Sequence, residues 1–354
     1  MKRATRLGTA AFMLAVLTML SSAARSADAV SLAETGSTLM YPLLEQWTME
    51  YRKAVPNVRI PVAATNSGAG IEQAIAGRVQ FGASDAYMTD EQMSANPGML
   101  NIPLVISAQF VTYNLPGLNA AGLRLDGPTL AGIYTGKVRN WDDAAIVAMN
   151  AGVQLPHAAI VPVHRSDSSG DSFIFSQYLT FSTDSWEFGP SYGTDISWPS
   201  VPGAQGAAGN IGMVKAVGAA PYSIGYVGGS FFREVAAAHL GTAMLKNQAG
   251  NFVAPTPQTV RDAAAELDAR TPHDERLSLV FAPGADSYPL VNYEYAIVAA
   301  KQPNPQTAAA LRDFLLWTIG AGKGNDQKAL DPLHFTTLPE FVRALSDAQI
   351  RLIN

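Results

Sequence analysis

The sequence predicts an α/β protein of two domains. Three observations carry that expectation. The chain has 354 residues, more than one hydrophobic core usually spans. Apolar runs with strand character alternate with helix-spaced ones along most of it. No internal repeat or low-complexity linker interrupts the alternation. At 48% hydrophobic and 15% charged, the chain has enough apolar residues for real cores and does not read as disordered or fibrous.

The N-terminus stands outside that fold. In "MKRATRLGTAAFMLAVLTMLSSAARSADA", Lys2, Arg3 and Arg6 precede an apolar run of about eleven residues, from Ala10 to Leu20, and then small residues. This is the pattern of a secretory signal. A bilayer span needs about 20 residues, so a membrane anchor is the weaker reading. Ala27-Asp28-Ala29 suits cleavage just before Val30, with Ala24 and Ser26 as alternatives. Cleavage after Ala29 removes four basic residues and one acidic one, moving the formal charge from −5 to −8. With no cysteine in the chain, disulfides, a lipid-modified cysteine and thiolate metal sites are excluded. The expected location is therefore the periplasm, without a lipid anchor. An acidic chain lacking basic runs is a poor partner for nucleic acid or anionic membranes.

The elements follow in chain order. Met40, Leu44, Trp47 and Tyr51 fall at i, i+4, i+7 and i+11, one face of a first helix. "VRIPVAAT" alternates as a strand and leads into "NSGAGIEQAIAGR", a second helix. "VQFGASDA" is a short strand, and "TDEQM" starts a third helix, with Thr89 and Gln92 spaced as a capping box. From "NIPLVISAQFVTYNLPGL" onward, apolar strands mix with helices as far as the polar stretch between Arg270 and Arg276. "IVPVH" reads as a strand ending near His164, and Ile174, Tyr178 and Phe181 as a face of the helix after it. The Gly- and Ala-rich stretch from Gly203 to Gly212 is a loop or a helix start. "YPLVNYEYAIVAA" is a further strand, and "PQTAAALRDFLLWTIGAG" a final amphipathic helix.

Four junctions between strand and helix draw attention. In "HRSDSSGDSFIFSQYLTF", Ser168 to Asp171 sits at a helix N-terminus, where unpaired N–H groups and the helix dipole favour negative charge. Arg165 adds a two-pronged donor suited to a tetrahedral oxyanion. The plainer alternative is an N-cap, with Arg165 paired to Asp167. Gly36-Ser37-Thr38, the segment Asn66 to Gly70, and Asp85 at the end of "GASDA" repeat the arrangement. In open α/β sheets ligands bind where such ends converge. Together the four suggest a pocket of neutral donors, one cation and one carboxylate.

"TGSTLMYP", "NSGAGIEQAIAGRVQFGASDA", "LDGPTLAGIYTGKVRNWDDAAI" and "HRSDSSGDSFIFSQYL" resemble the successive motifs of the periplasmic phosphate-binding proteins of phosphate ABC importers. The similarity runs in register from about residue 34 to 230 and continues more loosely beyond. It implies a two-domain periplasmic-binding-protein fold, a type 2-like clamp in which each domain is a mixed sheet flanked by helices. Domain I would comprise residues 30–105 and 289–354, and domain II residues 106–288. It further implies a phosphate site of Thr38, Leu39, Ser67, Asp85, Arg165, Ser169, Gly170 and Asp171. Thr38 and Ser67 would supply hydroxyls, and Leu39 a backbone N–H. Asp85 would be the buried acceptor, and Arg165, Ser169 and Gly170 the cation and amides of the third loop. Asp171 departs from the family, which commonly has threonine there. The implied partners are inorganic phosphate and the membrane permease of an ABC importer, with a monomeric chain that uses no cofactor and no metal.

The carboxylate suggests how such a site would select. An ionised carboxylate only accepts hydrogen bonds, so Asp85 suits an anion that carries a proton. Hydrogen phosphate does; sulfate does not. Sites built around such a bond reject analogues lacking it by factors on the order of 10⁴. Arsenate shares phosphate's shape and protonation, so an arsenate binder, scavenger or sensor of the same fold is the alternative. Asp171 would pair with Arg165, accept a second ligand proton, or point outward. An enzyme is the more distant alternative. No G-x-S-x-G elbow occurs, and His164 and Arg165, adjacent in a strand, face opposite ways. "GAGKGND" lacks the residues of a phosphate loop.

Overall fold

The computed structural model describes residues 29–187 and 189–354. The signal-like segment lies outside the described residues. Seven strands form the main path of an eight-stranded mixed sheet, in the order Glu34–Gly36, Phe81–Ser84, Val291–Ala299, Met99–Asn114, Ser223–Gly228, Val161–Arg165, Gln205–Ala207. The eighth, Gly241–Thr242, pairs with the 16-residue strand Met99–Asn114. Both ends of the order are parallel and the middle is antiparallel. Helices flank the sheet, which makes the fold α/β as expected.

The long central strand changes partners midway. Met99 to Ala108 pair with Val291–Ala299, whereas Gln109 to Asn114 pair with Ser223–Gly228. It is buried along all but its last residue, and reads as a nearly continuous apolar run for that reason.

The first helix, Tyr41–Ala54, buries Leu44, Trp47 and Tyr51, and Met40 is buried just before it. Thr89 and Gln92 form the expected capping box of the short helix Asp90–Ala95. Three expectations need correction. "VRIPVAAT" is an interrupted strand: Val58–Arg59 pairs with Val30–Ser31, and Ala64 forms a single bridge to Gly36; between them Pro61 has no N–H to give and only accepts, from Glu34 N at 3.0 Å. Helix Gly170–Ser182 has no single apolar face: eleven of its residues, Gly170 to Thr180, are buried, while Phe181 is 43% exposed. Asp171, Ser172, Ser176, Gln177 and Thr180 are enclosed along with its apolar residues, so burial on all sides leaves no apolar stripe. Finally, Pro305–Thr318 is not the last helix. Glu340–Ile350 follows it and docks on the long strand, Ser346 donating to the Pro103 carbonyl at 3.0 Å and Gln349 to that of Asn101 at 3.1 Å. Among the described residues no helix is long and apolar enough to cross a membrane.

Candidate functional site

Strand Phe81–Ser84 ends at Asp85, which is 1% exposed. Two hydroxyls from different helix starts hold its carboxylate. Ser37 Oγ donates to one oxygen, and Ser67 Oγ donates to the other at 3.2 Å. Ser37 also accepts from the N–H groups of Leu39 and Met40, both at 3.1 Å, so it ties down the turn that leads into the first helix. Asn66 is the N-cap of helix Ser67–Ile75, accepting from Ala69 N at 2.8 Å, and this fixes Ser67 in the first turn. Asn292 Nδ2 donates to the Asp85 carbonyl. Neither the carboxylate nor its backbone has freedom to turn away.

The facing wall is built on Arg165, at the end of Val161–Arg165 and 3% exposed. Its Nε and Nη2 donate to Asp167 at 2.6 and 2.5 Å, and Nη1 donates to Asp171 at 2.5 Å. Burial works against the guanidinium's charge, but the bonds and charges of Asp167 and Asp171 outweigh it and raise its pKa. Asp171 also accepts from Gln109 Nε2 and Asn210 Nδ2, each at 2.8 Å. Burial and then the charge of Asp85 push the Asp171 carboxyl up to about 7, against the opposing pull of Arg165, Asn210 and Gln109. The expected Arg165–Asp171 pair is therefore present, alongside the Arg165–Asp167 pair of the plainer reading.

The two walls meet closely. A Cβ at Gly170 would lie 2.5 Å from Ser67 Oγ and 2.6 Å from Asp85 Cβ and Oδ2. Gly68 N donates to the Ser168 carbonyl at 3.1 Å. Thr38 Oγ1 accepts from Asn210 Nδ2 at 3.0 Å, and Ser230 Oγ donates to the Leu39 carbonyl at 2.8 Å. Leu39 is fully buried against Gly228. Ser169 is the N-cap of helix Gly170–Ser182, its Oγ accepting from Ser172 N at 3.3 Å, while its own N–H turns to the Thr194 carbonyl at 2.8 Å.

All eight predicted residues thus lie on the two facing walls or on the loops that join them. Ser67, Asp85, Arg165, Gly170 and Asp171 form the buried centre, with Thr38 linked to Asp171 through Asn210. Leu39 and Ser169 contribute packing and capping rather than a side chain turned to that centre. His164 stacks on Trp198, ring centroids 5.0 Å apart, with its Nδ1 against the Arg165 carbonyl. Among the described residues no cluster of three or more His, Asp or Glu is placed to hold a metal ion. Chemically, the arrangement offers a rigid acceptor, a rigid cation and neutral amide and hydroxyl donors, shielded from water.

A family model described as a PBP superfamily domain matches residues 21–321. The chain is 32% identical over 339 residues to the phosphate-binding protein PstS of Pasteurella multocida, covering 96% of this chain and 94% of that protein. It is 31% identical over 337 residues to the PstS of Methanocaldococcus jannaschii, covering 90% and 85%. The chain belongs to the phosphate-binding protein family of the PBP superfamily. Solved structures share the fold. A phosphate-binding protein from Stenotrophomonas maltophilia aligns with a TM-score of 0.68 at 19% identity, over 90% of this chain and 94% of that one. A high-affinity periplasmic phosphate-binding protein bound with phosphate aligns at 0.71 and 21%, over 90% and 93%.

Sequence reasoning missed several members of the site in this family member. Ser37 stands beside Thr38 in "TGSTLMYP", and nothing local distinguishes the two hydroxyls. Asn210 falls in the stretch read only as a loop or helix start. Gln109 is a polar residue inside an apolar strand run, and that incongruity was the available signal.

Proposed function

We propose that the chain captures inorganic phosphate between two domains in the periplasm and delivers it to the membrane permease of an ABC importer. The observation that carries this reading is Asp85, a buried acceptor fixed by Ser37 and Ser67, on the wall that faces the buried Arg165. An anion held there meets a positive charge on one side and needs a hydrogen to give on the other, which is the description of hydrogen phosphate. Thr38, Leu39, Ser67, Asp85, Arg165, Ser169, Gly170 and Asp171 form the site in this reading, joined by Ser37, Gln109 and Asn210.

The partner change in the long strand between Ala108 and Gln109 supports a division into residues 30–105 with 289–354, and residues 106–288, each lobe supplying one wall. Closure is hinge bending about the crossings between them. The protein acts as a monomeric binder without catalysis or cofactor. Its N-terminal charge and hydropathy pattern supports export, and the lack of cysteine supports a form without a lipid anchor.

Calorimetric titration with phosphate, arsenate and sulfate tests the reading. Phosphate should bind, arsenate should compete, and sulfate should fail by a factor on the order of 10⁴. Sulfate competing as well as phosphate would overturn it.

A further inference from the structure

Behind Asp85 lies a third carboxyl group that the phosphate reading does not use. Glu294 belongs to strand Val291–Ala299, beside the strand that ends at Asp85, at a register shift between Glu294 and Tyr295. It is fully buried. Ser107 Oγ, from the long strand on its other side, donates to Oε1 at 2.5 Å, and Oε2 has no conventional donor. The antiparallel register that sets Tyr295 opposite Ser84 brings Glu294 beside Asp85, also an acceptor, whose carboxylate acts on it. Two acceptors in contact are stable only when one carries a proton. The charged groups facing Glu294 are Asp85 and Asp171, both acidic, and none of the ion pairs among the described residues includes it. Asp85 keeps two hydroxyl donors and Glu294 has only one, so the proton belongs on Glu294.

We propose that Glu294 is a neutral partner that donates a hydrogen bond to Asp85, fixing the Asp85 carboxylate as an acceptor and so setting selectivity between protonated and unprotonated oxyanions. Its burial raises its pKa well above the ordinary range, with the charge of Asp85 adding to the effect. With donors from Ser37, Ser67 and Glu294, the Asp85 carboxylate keeps acceptor capacity for a ligand proton. Without Glu294's hydrogen, the Asp85 carboxylate loses one of the donors that fix it in place. An acceptor that can turn aside no longer stands against an unprotonated anion, and the rejection of sulfate weakens. Glu294 is a positioning residue, since it acts through Asp85.

The inference rests on the phosphate reading for its consequence but not for its premise, and the two are tested separately. Infrared difference spectra of the ligand-free full chain at neutral pH, wild type against Glu294→Gln, should contain the C=O stretch of a buried neutral carboxyl. A difference showing only an ionised carboxylate would overturn the proposal, whether or not the chain binds phosphate. In competition titrations, Glu294→Leu should lose at least about tenfold in preference for phosphate over sulfate. Glu294→Gln, whose amide both donates to Asp85 and accepts from Ser107, should stay within about twofold of wild type. Equal losses in both variants, or no loss in Glu294→Leu, would also overturn it. If Glu294→Leu does not fold, the infrared spectrum and the Gln variant decide. Wild type that binds no phosphate would sink the functional reading and leave the infrared result standing.

Discussion

At Asp171 a residue that accepts three hydrogen bonds also sits near a second carboxylate, and the two influences oppose each other. Arg165, Gln109 and Asn210 favour its ionised form; burial and Asp85 favour the neutral one, and the carboxyl titrates near 7 as a result. Below that pH Asp171 is neutral and can offer a hydrogen to an oxyanion. Above it, its charge engages Arg165 and repels a dianion. Phosphate affinity should therefore fall as pH rises through about 7, and Asp171→Thr should flatten the profile. Calorimetric Kd values across about pH 5.5–8.5 check this, and a variant with an unchanged slope sinks the assignment. The legible part of this residue's role was its position at the start of a helix near Arg165. Its place within reach of Asp85 was not legible, because 86 positions separate the two in the chain.

Elements set how closely the walls approach. Helix Gly170–Ser182 begins with a glycine because its first turn abuts Ser67 and Asp85 from the other wall. Gly170→Ala would place a methyl carbon inside contact distance, and the walls could close only after a shift. Overpacking of this kind costs about 1–3 kcal/mol, which is about five- to 150-fold in affinity. Isothermal titration should show weaker phosphate binding with far-UV circular dichroism unchanged; wild-type affinity would mean that the walls do not meet in the bound state. The helix start itself was readable from Ser169 and Asp171, residues that favour N-caps and first turns. Which helix starts face one another was decided by strand order. Asp85 and Arg165 end strands that lie far apart in sequence and in the sheet, with Val291–Ala299, Met99–Asn114 and Ser223–Gly228 between theirs.

Across the whole molecule, buried carboxyl groups shape the response to pH. Burial pushes both Glu34 and Glu275 up to about 8, Asp171 to about 7, and Glu294 well above its ordinary value. Each keeps its proton in the folded state at pH values where the unfolded chain has released it. Stability is therefore greatest below about pH 4.5 to 5 as far as these groups are concerned, and falls as pH rises through about 8. Scanning calorimetry should give a lower Tm at about pH 8.5 than at about pH 5.5. Glu275→Gln, which keeps the bonds to Ser346 and Gln349 within reach of an amide, should reduce the difference. A Tm that climbs with pH over that range would contradict the burial of these groups.

The alternation of strands and helices, the capped helix starts and the expectation of an export signal were legible along the chain, because each depends on residues within a few positions of one another. The sequence also carried the family motifs, and with them Asp85 and Arg165 as candidates. That Ser37, Gln109, Asn210 and Glu294 lie beside them, and that Arg165 holds Asp167 and Asp171 at once, follows from the folded chain alone. Those contacts arise from sheet order and from the long strand's change of partner between Ala108 and Gln109. Pairing of that range leaves no local periodicity in the chain, because a strand's side chains record which face is buried and not which strand lies alongside.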